Sequence, residues 1–233
     1  MQRLAIVLML TVIPMVRADE VRRAWHEPPA PLQVVTPVSA AFEAQVRTAW
    51  AELPQSLRSD LAHAGWQVHL AEFVVDAAPA LAESQPRGWP SGMSWQQTDA
   101  IHLSQERRLV VAEKRRNSQG QVVPATRAAG VLRHETGHAL DLAQGGHFKF
   151  LSASPGFRAA YESDVARMTS QQRETLAYYL QRSAAGRQET FAEAFAISLG
   201  GGADLANAAV FPQAFRHVMH WMRGRVTASA SST

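Results

Sequence analysis

The stretch RHETGHALD, residues 133–141, lies in an apolar segment that is typical of a buried helix. His134 and His138 are four residues apart, so a helix places both imidazoles on one face. Zinc accepts neutral imidazole nitrogens at this spacing. Glu135, roughly a quarter turn from His134, lies off the metal but near a water that the metal would hold. The stretch therefore predicts a helix at about 124–144 that carries a zinc site, with Glu135 as the base.

Two further residues of this helix bear on the site. Glycine inside a helix costs about 1 kcal/mol relative to alanine, so Gly137 indicates that another group approaches closely there. Asp141 shares a face with His134 and His138. It either orients one of those imidazoles or caps the helix near its end, and the sequence leaves both roles open.

A second segment, QETFAEAFA at 188–196, places two carboxylates four residues apart on one helical face. Glu189 and Glu193 would repel each other unless a cation lies beside them, and a zinc ion held by the two histidines would be such a cation. The alternative is a solvated acidic stripe, but the surrounding Phe, Ala, Ile and Leu residues favour a buried helix and the metal. A catalytic zinc needs a third protein ligand, and Gln144, six residues after the second histidine, ligates zinc poorly.

RHETGHALD, followed about fifty residues later by ETFAEAFA, resembles the catalytic domain of the anthrax lethal factor family of zinc metallopeptidases, which are gluzincins. The resemblance implies that Glu189 is the third zinc ligand and that Glu193 orients a ligand histidine through its second nitrogen. It also implies a tyrosine shortly before the third ligand, whose hydroxyl stabilises the oxyanion formed during peptide hydrolysis. Tyr178 and Tyr179 are the candidates, and we favour Tyr179 because it is nearer the ligand helix.

The order of the elements predicts an α+β fold. The resemblance implies that this fold is a helix-rich, zincin-like metallopeptidase domain with a small mixed sheet and the H-E-x-x-H helix at its active site. No repeated βαβ unit is indicated. A Pro- and Gly-rich stretch at 77–97 predicts a long loop of the kind that is often functional. The predicted elements are helices that begin at Ser39 and after Pro54, strands at 66–75, 101–103 and 109–111, and helices at 124–144, 161–182, 188–199 and 211–222.

The domain organisation follows from composition along the chain. Residues 1–18 have the charged start, the apolar run and the small-residue cleavage site of a signal peptide, and the run is shorter than the roughly 20 residues of a spanning helix. Residues 19–37 are a Pro-rich lead-in, 38–223 the metallopeptidase domain and 224–233 a disordered tail. We therefore expect export to a bacterial periplasm or the exterior, without a stable membrane anchor.

Cysteine content and charge exclude several classes of function. The chain has no Cys, which excludes disulfides, thiolate zinc ligands and a cysteine nucleophile. Loss of residues 1–18 removes two arginines and no acidic residue, so the formal charge falls from +3 to +1. Basic residues form no sustained stripe, and we expect no nucleic-acid partner. Nothing in the sequence indicates an oligomeric state.

These patterns predict an exported zinc-dependent endopeptidase that hydrolyses a peptide or protein substrate through a metal-activated water, with Zn²⁺ as cofactor. We expect the substrate to lie extended along a strand edge at 101–103. The alternative is a non-catalytic, zinc-retaining binding protein of the cell envelope or host surface, although such a protein would not need Glu135. The remaining histidines have no partner at ligand spacing and are interpreted as surface or packing residues: His26, His63, His69, His102, His147, His217 and His220.

Overall fold

The structure of the chain is a computed structural model that describes residues 32–85, 92–204 and 206–230. The predicted signal peptide at 1–18, residues 19–31 of the lead-in and the end of the predicted tail at 231–233 lie outside the described residues. Part of the long loop, 86–91, lies outside them as well. Within the described ranges, no helix is long and apolar enough to cross a membrane.

The described residues contain six strands: β1 Leu32–Val34, β2 Gln67–Ala71, β3 Ala100–Leu103, β4 Arg108–Ala112, β5 Lys114–Arg116 and β6 Val122–Pro124. Four of them form a mixed sheet in the order β1-β2-β4-β3. β1, β2 and β4 are parallel, whereas β3 runs antiparallel to β4 and forms one edge of the sheet. β5 and β6 form a separate antiparallel hairpin.

Most of the other described residues belong to helices: α1 Ala40–Ala51, α2 Gln55–His63, α3 Val74–Ala77, α4 Ala128–Ala143, α5 Pro155–Arg167, α6 Ser170–Thr175, α7 Ala185–Ser198, α8 Val210–Ala214 and α9 Arg216–Ala230. α1 begins where expected, because the Ser39 side chain accepts a hydrogen bond from the Phe42 backbone N–H. Phe42, Val46 and Trp50 are buried at four-residue spacing along it. The predicted α+β architecture with a small mixed sheet is confirmed.

The packing of α4 against α7 places the two motif segments together. A Cβ atom added to Gly137 of α4 would lie 2.7 Å from Ala192 Cα of α7, so the two backbones approach this closely only because glycine is there. The expectation that Gly137 marks a close approach is therefore confirmed. α4 also packs against α1 and against β3 and β4 of the sheet. The helix that carries the H-E-x-x-H pattern is thus held by helices and by the sheet.

The predicted strand at 66–75 is shorter in the structure and gives way to a helix. Asp76 accepts a hydrogen bond from the Phe73 backbone N–H, and this local bond starts α3 where the strand was expected to continue. The helix with the H-E-x-x-H pattern also starts later than predicted, because Pro124 pairs with Lys114 in the hairpin of β5 and β6.

The helix predicted at 161–182 is interrupted in the structure, where α5 and α6 are separate. Thr169 divides them: its side chain accepts a hydrogen bond from the Gln172 backbone N–H, while its own N–H donates to the Gln172 side chain. This reciprocal pair is a strong helix start, so one continuous helix does not pass through it. After α6 the chain forms a short 3₁₀ turn at Ala177–Leu180.

The last helix differs from the prediction at both ends. The single helix predicted at 211–222 is divided into α8 and α9. α9 starts separately because the buried Asp164 carboxylate accepts hydrogen bonds from the backbone N–H groups of His217 and Val218 in the first turn of α9. The predicted disordered tail at 224–233 is helical in its described part. Val226 packs against the core on this stretch, and that tertiary contact stabilises a helix which the small-residue composition did not indicate.

The folded domain also begins before residue 38. β1 lies in the predicted lead-in, and Leu32 pairs with Val68 of β2 in a parallel register. The Leu32 side chain is buried in the core. Residues 32–34 therefore belong to the sheet of the domain. Pairing with β2 provides hydrogen-bond partners for the backbone of this short segment, which sequence composition assigned to a linker.

Candidate metal centre

A cleft with a volume of about 800 Å³ is lined by residues of α4, α7 and the edge strand β3. His134, Glu135 and His138 line it from α4, and Glu189 lines it from α7. The segment that precedes α7 contributes Tyr178 and its neighbour. The structure thus brings together in one cleft the residues that the sequence predicted for a metal site.

Three side-chain atoms converge in the geometry that a metal ion requires. Glu189 Oε2 lies 3.3 Å from His134 Nε2 and 3.4 Å from His138 Nε2. Ligand atoms about 2.1 Å from a tetrahedral zinc ion lie about 3.4 Å from one another, so these separations fit the ion. Among the described residues, His134, His138 and Glu189 form a group that could hold a metal.

The charges around these atoms suit a cation. Burial is the largest influence on Glu189 and would raise its pKa, but His138 and His134 outweigh it and the pKa is lowered. Burial lowers the pKa of His138. Burial would lower the pKa of His134, but its hydrogen bonds to Glu189 and Glu193 outweigh burial and raise this pKa well above its ordinary value. An ionised carboxylate and a neutral imidazole are the forms in which these side chains bind a metal, so a cation that binds here displaces a proton from His134.

Glu193 holds the first histidine through its second nitrogen. Its Oε2 lies 2.8 Å from His134 Nδ1, and its side chain is 1% exposed. It also accepts hydrogen bonds from the backbone N–H groups of Ala203 and Asp204, at 3.2 and 3.1 Å. A carboxylate held in this way fixes the orientation of a ligand imidazole. The geometry agrees with the role that the resemblance implied for Glu193.

The loop after α7 that supplies these N–H groups lies close to both helices. A Cβ atom on Gly202 would clash with Glu193 Oε1, and one on Gly130 would clash with the backbone oxygen of Gly202. Arg127 donates hydrogen bonds to this loop and to Asp99, which precedes β3. Sequence reasoning missed this loop, although three consecutive glycines after α7 were an available signal for close backbone approach.

The two candidate tyrosines lie in different surroundings. Tyr179 is 2% exposed, its hydroxyl donates a hydrogen bond to Asp204 Oδ2 at 3.1 Å, and its ring packs against Phe211. Tyr178 is 41% exposed and lines the cleft with Glu189. Burial, the larger cause, and the negative charge of Glu189 raise the pKa of the Tyr178 hydroxyl. The structure therefore favours Tyr178 and corrects our preference for Tyr179, which is mainly a core residue.

Asp141 has neither of the two roles that the sequence left open. Its carboxylate accepts hydrogen bonds from the Ser152 backbone N–H at 2.5 Å and from the Ser152 hydroxyl at 2.7 Å. Burial raises the pKa of Asp141 to about 6, although these hydrogen bonds oppose the shift. Asp141 therefore fixes the chain that follows α4, and it supports the cleft without holding an imidazole.

His102 on β3 is a site residue that sequence reasoning interpreted as surface or packing. Its ring stacks on His138, with centroids 4.3 Å apart and planes inclined by 23°. Its Nδ1 lies 3.3 Å from Glu135 Oε2. The available signal was strand alternation: Ile101 and Leu103 pack against one face of the sheet, so His102 between them faces α4.

The pKa of Glu135 suits a base. Burial is the largest influence and would raise the pKa, but the hydrogen bond from His102 and the charges of His134 and His138 lower it. The net shift is downward, so the carboxylate is ionised at neutral pH and can accept a proton.

Comparisons with known proteins bear on the fold. No family model matches the chain, and no curated protein matches it. Among solved structures, it is similar to the Pro-Pro endopeptidase PPEP-2 from Paenibacillus alvei, with 19% sequence identity and a TM-score of 0.55. The match covers 82% of this chain and 96% of that chain. At this identity the likeness shows the fold alone, and it does not show membership of the lethal factor family.

Proposed function

We propose that this protein is an exported zinc-dependent endopeptidase. The observation that carries the proposal is the convergence of His134, His138 and Glu189, whose ligand atoms lie within 4.8 Å of one another, with Glu135 beside them in an open cleft. A structural zinc site has four protein ligands, whereas this group among the described residues offers three and lines the cleft. Three ligands beside a carboxylate base are the arrangement of a catalytic site.

Each metal ligand has a defined partner or position. His134, His138 and Glu189 would hold the zinc, and Glu193 fixes the ring of His134. Zinc in such a site supplies a Lewis acid that lowers the pKa of a water from 15.7 towards about 7 and polarises a carbonyl. The chain itself then has to provide a proton acceptor and an oxyanion donor.

Glu135 and Tyr178 are the residues proposed for these two tasks. Glu135 accepts the proton of the attacking water and passes it to the leaving amine. Partial loss of solvent, followed by the negative charge of Glu189, raises the pKa of Tyr178. Its hydroxyl therefore keeps its proton and can donate a hydrogen bond to the oxyanion that develops on the substrate carbonyl.

The substrate is proposed to be an extended peptide that adds to the free edge of β3. β3 is an edge strand, and residues of β3 and its flanks line the cleft. Among the described residues no strand pairs with its outer side, so the backbone groups there can pair with a peptide and present the scissile carbonyl beside Glu135. Because the similar structure is that of a Pro-Pro endopeptidase, peptides with consecutive prolines are the first specific sequences to test.

Two finer parts of the proposal have separate support. The segments RHETGHALD and ETFAEAFA support a place among the gluzincins of the lethal factor family. The composition of residues 1–18 supports export to the periplasm or the exterior. Expression of the full chain in a bacterium, followed by N-terminal sequencing of the exported product, tests the second part, and retention of an intact chain in the cytoplasm would contradict it.

Digestion of a peptide library tests the enzymatic assignment. Protein that lacks residues 1–18, loaded with zinc, is expected to cleave peptides, and a chelator is expected to stop cleavage until zinc is restored. Glu135→Gln is the matched control, because it keeps the metal ligands and removes the base: we expect unchanged zinc content and no cleavage. Wild-type protein that binds zinc but cleaves no peptide would contradict the endopeptidase and favour a zinc-retaining binding protein.

A further inference from the structure

His102 contacts both functional groups of α4 from the edge strand. Its ring is stacked on His138, and its Nδ1 lies 3.3 Å from Glu135 Oε2. The side chain is 34% exposed, so it belongs to the cleft wall and not to the core. An ionised carboxylate only accepts hydrogen bonds, so Nδ1 of His102 is the donor.

One role to consider for His102 is that of a metal ligand, because His102, Glu135 and His138 form another group whose ligand atoms lie close to one another. The ring stacking argues against it. Imidazole lone pairs lie in the ring plane, and two rings stacked at 4.3 Å with planes inclined by 23° direct their lone pairs nearly parallel. An ion shared by His102 and His138 would lie against a ring face, where no lone pair is available.

Glu135 needs a restraint from outside its own helix. Its side chain has three torsions, and the last of them is broad, so the carboxylate can rotate while α4 stays fixed. A base acts only within hydrogen-bond reach of the proton that it accepts, and a displacement of about 1 Å can cost about 100-fold in rate. The bond to His102 occupies Oε2 and leaves Oε1 free.

We propose that His102 is a positioning residue that holds Glu135 Oε2 so that Oε1 faces the attacking water. This inference rests on the proposed peptidase function and adds to it a residue of the strand along which the substrate is proposed to lie. Ile101 and Leu103 pack on the opposite face of the sheet, so the strand directs the His102 side chain to the cleft face, and stacking on His138 orients its ring there. The base is thereby aligned with the substrate-binding strand.

Two substitutions separate the hydrogen bond from the ring stacking. His102→Phe keeps a ring over His138 and removes the N–H, whereas His102→Asn keeps an N–H near the position of Nδ1 and removes the ring. We expect kcat of His102→Phe to fall about 10- to 100-fold with KM, zinc content and Tm unchanged. His102→Asn is expected to retain most of kcat. His63→Phe, at an exposed position of α2, is the control and is expected to match wild type.

A second background tests whether His102 acts through Glu135. Glu135→Asp shortens the base and withdraws it from His102, so adding His102→Phe is expected to lower kcat little further. If the losses in kcat caused by the two substitutions are additive, His102 acts on the substrate independently of Glu135, and the inference is overturned. An unchanged kcat in His102→Phe, or the same loss in His102→Asn as in His102→Phe, would overturn it as well.

One readout does not depend on activity. In a crystal structure of zinc-loaded His102→Phe, the Glu135 carboxylate is expected to shift or to occupy more than one rotamer. A carboxylate in the wild-type position would overturn the inference. A wild-type protein without activity on any peptide would contradict the peptidase function, and the crystallographic comparison would still decide whether His102 positions Glu135.

Discussion

The two walls of the cleft hold their functional groups in different ways. On the wall formed by α4 and α7, Glu193 is 1% exposed and is fixed by His134 and by two backbone N–H groups. Gly137 brings the backbones of these helices into direct contact. On the wall formed by β3 and the turn before α7, Tyr178 is 41% exposed and the His102 side chain 34%.

The difference follows from what each wall has to do. A metal ion is bound tightly when its ligands are oriented before it arrives, and the helical wall orients them by burial and by hydrogen bonds. A polypeptide substrate has to enter and leave, so the groups that touch it need access to solvent. Apart from the base Glu135, which lies on α4, we therefore expect substitutions in the helical wall to change metal affinity and stability, and substitutions in the open wall to change turnover.

The largest effect is expected when a metal ligand is removed from the helical wall. Glu189→Ala is expected to weaken zinc binding by more than about 100-fold, because loss of an outer hydrogen-bond partner alone weakens metal binding about 10- to 100-fold. Metal analysis after dialysis measures the effect. Glu162→Ala, at an exposed position of α5, is the control and should retain zinc. Full zinc content in Glu189→Ala would contradict the assignment of Glu189 as a metal ligand.

The open wall is tested by its tyrosine. Tyr178→Phe is expected to lower kcat about 100-fold with zinc content and stability unchanged, because a hydrogen-bond donor to the oxyanion is lost. Tyr179→Phe is the matched comparison: it should leave kcat unchanged and lower the free energy of unfolding by about 1 kcal/mol, through loss of the bond to Asp204. The reverse pattern, with turnover lost in Tyr179→Phe alone, would contradict the assignment of Tyr178 to the open wall.

The pH dependence of the free energy of unfolding tests the burial of Asp141, which lies on α4 of the helical wall. Its pKa is raised from 3.8 to about 6 by burial, so the folded state binds this proton more tightly than the unfolded state does. The free energy of unfolding therefore falls as pH rises between these values, by up to about 3 kcal/mol for two pKa units. Asp141→Asn can still pair with both Ser152 groups and does not titrate. Urea unfolding from pH 4 to 6 should show a flatter profile for the variant, and equal profiles would contradict a buried Asp141.

The helical wall was predictable from sequence because its residues recur at helical spacing. His134 and His138 are four residues apart on α4, and Glu189 and Glu193 are four apart on α7. A helix fixes the relative directions of such side chains, so only the meeting of two helices had to be inferred. The paired carboxylates of the second segment supplied that inference, since two like charges on one face need a cation beside them. Gly137 added only that some group approaches α4 closely.

The open wall was less predictable because it depends on tertiary contacts. His102 reaches Glu135 only because β3 is the edge strand beside α4, and local alternation does not specify the order of strands in a sheet. Tyr178 and Tyr179 are adjacent in a 3₁₀ turn, whose orientation decides which hydroxyl faces the metal. The loop that holds Glu193 is defined by backbone N–H groups, which carry no side-chain pattern.

The packing of α4 on α7 gives the last test of the comparison. Gly137→Ala places a methyl group 2.7 Å from Ala192 Cα, and the helices must move apart, at a cost of about 2 kcal/mol in the free energy of unfolding. Gly224→Ala is the control: apart from its own stretch of α9, no atom of the described residues lies within 4 Å of its Cβ position, and alanine should stabilise that helix by up to about 1 kcal/mol. Urea unfolding of the two variants without metal measures the changes in the free energy of unfolding, which are expected to have opposite signs. If Gly137→Ala is as stable as wild type, the helical wall can yield, and rigidity would no longer distinguish it from the open wall.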